Sequence, residues 1–310
     1  MSVLLEVTLP VFLVIAAGYV AVWAKVFSDD NVDALMRFTQ NFAIPCLLFA
    51  AISTLDLKAV FDWRLLTSYY AGVLCSFAIG ILGARLLFGR PMQDAVAIGF
   101  CCMFANTVLL GLPIMERAHG VAALEPMFAI ISIHAPFVYM VGITTMEIVR
   151  ASSKGLFRTM WSIAKTMSQN ALMIAVALGF TVNLSGLVTP VVVEEAVTLI
   201  ARAGLPAALF GLGGVLYRYK PEGNLREVVF VCLVSLMVHP VITWGLGNGV
   251  FDLSDPMLRA AALTAAMAPG VNTYIFANMY GVAKRVVATA VLAGTAVSIL
   301  SAAFWLSVLP

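Results

Sequence analysis

Apolar residues run through this chain in blocks long enough to cross a bilayer, and the polar residues fall between the blocks. Spanning about 30 Å of hydrocarbon takes roughly 20 helical residues. Ten segments reach that length: 3–24, 33–54, 64–88, 93–116, 121–149, 168–187, 192–216, 226–248, 257–280 and 283–308. The connections are short and polar, such as Ser28-Asp29-Asp30-Asn31, Gly89-Arg90-Pro91 and Lys220-Pro221-Glu222-Gly223-Asn224. The pattern predicts an all-α integral membrane protein with ten transmembrane helices. The longest interruption, 150–167, carries Arg150, Lys154, Arg158 and Lys165. It predicts a first five-helix repeat over 1–150, a connecting loop at 151–167 and a second five-helix repeat over 168–310.

Two blocks carry nearly the same device, one in each half. Pro45-Cys46-Leu47-Leu48-Phe49 is followed 61 residues later by Asn106-Thr107, and Pro206-Ala207-Ala208-Leu209-Phe210 is followed 66 residues later by Asn272-Thr273. A repeated helix breaker and a repeated polar pair at bilayer depth point to a substrate site built between two related halves. Five helices per half is an odd number, so the second half must enter the membrane in the opposite sense. Related halves would then form an inverted repeat, the geometry behind alternating access.

Lys and Arg set the orientation. With the N-terminus outside, the cytoplasmic connections hold twelve of them and the outer connections four, Lys58, Arg64, Arg117 and Arg259. Both termini are therefore expected outside and the central loop in the cytoplasm. No Lys or Arg precedes the first apolar run, and Glu6 sits where a signal peptide would be basic. The first segment is expected to be a retained helix.

Composition narrows the function classes. The chain is 62% hydrophobic and 11% charged, with a mean hydropathy of +1.00, beyond what a soluble domain could cover with polar surface. A net charge of +2 and the lack of a basic run interleaved with aromatics give no case for a nucleic-acid partner. The five cysteines, Cys46, Cys75, Cys101, Cys102 and Cys232, lie in apolar segments without metal-ligand spacing, so no metal or cofactor is expected.

Segments four and nine carry breakers near their midpoints. Segment four reads Phe104-Ala105-Asn106-Thr107-Val108-Leu109-Leu110-Gly111-Leu112-Pro113, and segment nine Ala268-Pro269-Gly270-Val271-Asn272-Thr273-Tyr274. Unwound backbone at that depth must face protein or a wet cavity. A half-helix N-terminus offers orphan N–H groups and about half a positive charge, which suits an anion. Asn106 and Asn272 add amide donors and acceptors, and Thr107 and Thr273 hydroxyls. The structural alternative is that these residues bridge helices.

Asn106 through Pro113, with Gly120 beyond, resembles the fourth-helix motif of the auxin efflux carrier family. Gly270 through Phe276-Ala277 to Tyr280 is similar to the ninth-helix motif of its plant PIN members, and Pro45 to Phe49 resembles the family's second helix. The resemblance implies ten helices in two inverted repeats with broken crossover helices 4 and 9, related in fold to bile-acid symporters. Helices 1, 2, 6 and 7 would form a scaffold, and helices 3–5 and 8–10 a transport unit. Asn106, Pro113, Pro269 and Asn272 would be crossover residues. A homodimer is also implied. The chain lacks the long hydrophilic central loop of many plant members. The short loop is similar to bacterial members associated with malonate or other organic acids, which points to a bacterial inner membrane and away from auxin.

Other polar residues lie within the spans. Arg202, four residues before Pro206, could pair a substrate carboxylate bidentately, or could pair with Glu194 or Glu195. Arg37 and Asn41 share one helix face. His134 precedes Ala135-Pro136 and His239 precedes Pro240, and both are candidates for proton coupling or for interhelical hydrogen bonds. No aspartate sits near a helix centre, which disfavours a cation–proton antiporter. A sodium site of carbonyls and hydroxyls stays open. An intramembrane enzyme would need a nucleophile motif or paired membrane aspartates, and the sequence shows neither. The candidate substrate residues are thus Asn106, Thr107, Pro113, Pro269, Gly270, Asn272, Thr273 and Arg202. The leading expectation is a secondary transporter of a small organic anion. The alternatives are a sodium- or proton-coupled symporter of the bile-acid-carrier type and a non-transporting receptor.

Overall fold

The computed structural model describes residues 4–150, 161, 165 and 168–310. All regular structure among them is helical. The helices are α1 (Glu6–Trp23), α2 (Asp29–Thr54), α3 (Trp63–Leu86), α4 (Met92–Met103), α5 (Leu112–His119), α6 (Val121–Val149), α7 (Ala171–Ser185), α8 (Val191–Tyr217), α9 (Leu225–Gly249), α10 (Asp255–Ala265), α11 (Asn272–Tyr280) and α12 (Lys284–Val308). Seven of these, α1–α3, α6, α8, α9 and α12, are long and apolar enough to cross a membrane. The loop expected at 151–167 lies outside the described residues, apart from Trp161 and Lys165.

Polar residues at the segment ends fix where helices start. Asn170 Oδ1 accepts from the N–H groups of Leu172 and Met173, and Asn224 Oδ1 from that of Arg226. Each satisfies donors that a helix N-terminus leaves free.

Proline shapes the spans in a way the sequence reading placed wrongly. Pro45 does not break its span, since Asp29–Thr54 runs through it, whereas the span Val191–Tyr217 is interrupted by one turn residue, Ala203, just before Pro206. Instead, each of the four π-helical turns among the described residues ends two residues before a proline. Leu4–Thr8 precedes Pro10, Thr39–Ala43 precedes Pro45, Thr107–Gly111 precedes Pro113 and Val234–Val238 precedes Pro240. A proline ring clashes with the carbonyl four residues back and leaves it without a donor. One widened turn relieves the clash, and the helix continues.

The chain divides into two compact units. The first comprises Met1–Leu9, Phe61–Trp161 and Tyr219–Pro310, and the second Pro10–Val60 and Ser162–Arg218. In the first unit α3 packs along α4 and α9, and α12 against α9 and α11. Arg90 donates from Nε and Nη2 to the buried Glu227 carboxylate at 2.9–3.1 Å, tying the α3–α4 turn to α9. In the second unit α7 and α8 pack on α2. There α1 and α8 approach backbone to backbone: a Cβ on Gly18 would fall 1.9 Å from the Phe210 carbonyl oxygen, and one on Gly213 1.9 Å from that of Ile15. Small residues permit this where no hydrophobic force draws helices together. Asn183 Nδ2 donates to the carbonyls of Ile52 and Leu55 at 2.9 and 2.8 Å, satisfying the C-terminal end of α2.

Candidate functional site

Segments four and nine are both interrupted, and the interruptions meet within the first unit. Helix α4 stops at Met103, and the chain is non-helical through Phe104 and Asn106 before the π turn at Thr107. Helix α10 stops at Ala265, and α11 starts at Asn272. Ala105 and Pro269 form an antiparallel bridge. The Asn106 N–H donates to the Ala268 carbonyl at 2.8 Å, and the Gly270 N–H donates to the Phe104 carbonyl at 2.9 Å. Each break thus satisfies part of the other's exposed backbone, which lipid could not do.

The first break does not fall at Gly111–Pro113, where the sequence carries its breakers. It falls at Phe104–Asn106, which holds neither glycine nor proline. Gly111 and Pro113 lie beyond it, the proline in the first turn of α5. Unwinding at 104–106 is stabilised by hydrogen bonds to the second break, a cause that local propensity does not contain.

Both half-helices begin at the crossing, so orphan donors collect there. The N–H groups of Val108, Leu109 and Leu110, and those of Val271 and Asn272, make no backbone hydrogen bond outside their own helices among the described residues. Nδ2 of Asn106 is also without a partner, although Asn106 is only 5% exposed. Thr107 is buried beside it. Thr273 is fully buried, and its hydroxyl donates to the Gly270 carbonyl at 2.7 Å, bracing the start of α11. Asn272 is half-buried, and the Tyr139 hydroxyl lies 3.5 Å from its carbonyl. Pro269 is buried against α12, where a Cβ on Gly294 would come within 2.9 Å of its Cδ. Aromatic rings wall one side. Phe100 stacks on Phe276 at 3.9 Å between centroids, and Tyr139 stands edge-on to Phe104 at 5.6 Å. Neutral donors and two helix N-termini, with no acid among them, can hold a negatively charged group.

The profile of the membrane transport protein family matches residues 3–306. The chain belongs to that family. It is the auxin efflux carrier family that the fourth-helix motif resembled. Relatives that align along almost the whole chain include auxin efflux carrier component 5 of Arabidopsis thaliana, 20% identical over 95% of this chain and 93% of its own. They also include a Rhizobium meliloti (strain 1021) protein named "Putative malonate transporter", 21% identical over 96% and 93%. The uncharacterized transporter YfdV of Escherichia coli K12 is 22% identical over 97% and 96%. The chain is an integral membrane transporter of the auxin efflux carrier family.

In this carrier, His134 of α6 and His239 of α9 also lie in the first unit, both fully inside it. The His134 ring stands edge-on to Phe104 at 5.0 Å, next to the crossing. Arg202 belongs to the second unit, at the last residue of the helical stretch Val191–Arg202. It is exposed and forms no ion pair with Glu194 or Glu195 among the described residues. Arg37, Gln40 and Asn41 are exposed on α2. The second unit also holds a cavity of about 280 Å³ between α2, α7 and α8, whose polar lining is Ser53, Thr54, Thr189, Thr198 and the Glu194 carboxylate. An acid without a base suits an anion poorly. Sequence reasoning missed Phe104, Ala105 and Ala268, which act through their backbones, and no side-chain pattern could have marked them.

Proposed function

We propose that this carrier moves a small organic anion of the malonate-like carboxylate class by alternating access, with the crossing of the two interrupted helices as its substrate site. The observation that carries this reading is the unpartnered, buried Nδ2 of Asn106 set beside the first-turn N–H groups of two helices that start at the crossing. Asn106, Thr107, Gly270 and Asn272 would contact the anion, with Pro269 and Pro113 shaping the turns. Thr273 would hold α11 in place. A carboxylate bound there exchanges water for preorganised dipoles without meeting a buried cation. The named relatives support the substrate class, since malonate and auxin are both carboxylates.

The reading includes ten helices in two inverted five-helix repeats. Two broken spans at equivalent places in the halves, bridged antiparallel, support it. The two compact units support a transport unit of segments 3–5 and 8–10 and a scaffold of segments 1, 2, 6 and 7. The charge balance of the loops supports an inner membrane with both termini outside.

Counterflow of radiolabelled malonate in proteoliposomes tests this reading. Saturable exchange in the wild type, lost in Asn272→Ala, is expected. Binding without flux would instead make the protein a receptor.

A further inference from the structure

Seven buried side-chain polar atoms find no hydrogen-bond partner among the described residues, and all of them lie in the unit that carries the crossing. Buried polar atoms are nearly always partnered, so such a concentration marks groups kept for something that comes and goes. Three of the seven gather around Tyr69 of α3. They are Nε2 of His134, Nε2 of His239 and Oγ1 of Thr243.

Tyr69 is fully buried, and both imidazoles lie near its ring. Its hydroxyl is 3.4 Å from Nδ1 of His134, and its ring lies 5.7 Å from the His134 ring and 5.6 Å from the His239 ring. Gly72, one turn along α3, lets α9 close in: a Cβ there would fall 2.2 Å from Oγ1 of Thr243 and 3.1 Å from Cδ2 of His239. On its other side the His134 ring meets Phe104 of the crossing, edge-on at 5.0 Å.

The surroundings of these rings hold no counter-charge. The titratable groups facing His134 are Tyr69 and Tyr70 of α3 and His239 of α9. Those facing His239 are Tyr69 and His134, with the Thr243 hydroxyl on its own helix. Among the described residues, neither ring forms an ion pair. An imidazolium buried without a counter-ion is costly, and a second one beside it more so. An anion at the crossing changes that balance, because it places a negative charge next to the ring that stands against Phe104. The coupling is reciprocal: what the anion does for the proton, the proton does for the anion.

We infer that His134, Tyr69 and His239 form a single-proton site that fills only together with the anion, making this carrier a proton–organic anion symporter with one proton per anion. The inference rests on the transport reading above. The proton comes from bulk water on one side, is held on an imidazole while the anion is bound, and leaves with it on the other.

The test is uptake of malonate, succinate and indole-3-acetate into proteoliposomes, with the membrane potential clamped at zero and an imposed pH gradient, interior alkaline. One proton per anion gives an accumulation of about tenfold per pH unit. Exchange of labelled for unlabelled anion needs no net proton movement. His134→Gln and His239→Gln are therefore expected to lose accumulation and to retain exchange at saturating anion, with a raised half-saturation concentration and melting temperatures near that of the wild type. Wild-type exchange without accumulation would overturn the inference and leave the transport reading intact. So would full accumulation in both variants, a hundredfold accumulation per unit, or loss of exchange together with accumulation in folded variants. Wild-type protein that exchanges none of the three anions would remove the transport reading itself.

Discussion

The N–H of Asn106 donates to the carbonyl of Ala268 at 2.8 Å, joining two residues 162 positions apart in the middle of two interrupted spans. That bond and its mate, from Gly270 to Phe104, turn two weak points into one crossing. The unwound backbone is held by its counterpart, and the side chain of Asn106 is left free of that task.

Asn106→Ala is expected to lower anion uptake at least about tenfold, the loss of one good charge-assisted hydrogen bond. Stability should hardly change, because Nδ2 has no partner to lose and the pairing uses backbone atoms. Uptake kinetics and a thermal melt on the same preparation check both halves. Wild-type kinetics would remove Asn106 from the site.

Gly294→Ala probes the packing that seats the crossing. The new methyl would lie 2.9 Å from Cδ of Pro269, a rigid ring that can yield only by shifting the break. A cost of about 1–3 kcal/mol is expected, together with impaired transport despite the residue's lack of contact with solute. Melting temperature and exchange rate should fall together.

Glu227→Gln is expected to destabilise the first unit by about 3 kcal/mol, since it leaves a guanidinium facing a neutral, buried amide. The Glu227 side chain is 4% exposed and the Arg90 side chain 31%, so water repays part of the loss on the arginine side. Melting of the purified variant measures it.

Asp62, just before α3, gives a pH signature. The side-chain hydrogen bonds from Arg64 hold its carboxyl below the usual value of 3.8. A group whose pKa is depressed on folding adds stability above its unfolded value, and that stability is lost as pH falls through the folded one. Asp62→Asn should therefore melt below the wild type at neutral pH, and the gap should close on acidification below the usual carboxylate range. The effect is small, because the pair is open to water. A gap independent of pH would show that the asparagine differs in shape rather than charge.

The membrane-spanning character and the family were legible in the sequence, because burial in lipid demands about 20 apolar residues whatever the neighbours do; among the described residues, seven of the ten expected segments hold a helix long and apolar enough to cross. The second break was legible too, since Pro269-Gly270 cannot continue a helix. The first break was displaced: Gly111 and Pro113 drew attention, while the chain unwinds at Phe104–Asn106. Pro45 likewise looked like a breaker and is carried within a continuous span, while Pro206 follows a one-residue interruption at Ala203.

The sequence by itself determined that the chain is an integral membrane protein and which residues could carry polar chemistry within its apolar segments, because those properties belong to each residue and its near neighbours. Only the tertiary structure decided that Ala105 bridges Pro269 and that His134 and His239 both lie near Tyr69. Backbone hydrogen bonds between distant segments leave no trace in side-chain pattern. The free energy of unwinding a helix in a dry interior depends on what another part of the chain offers in return.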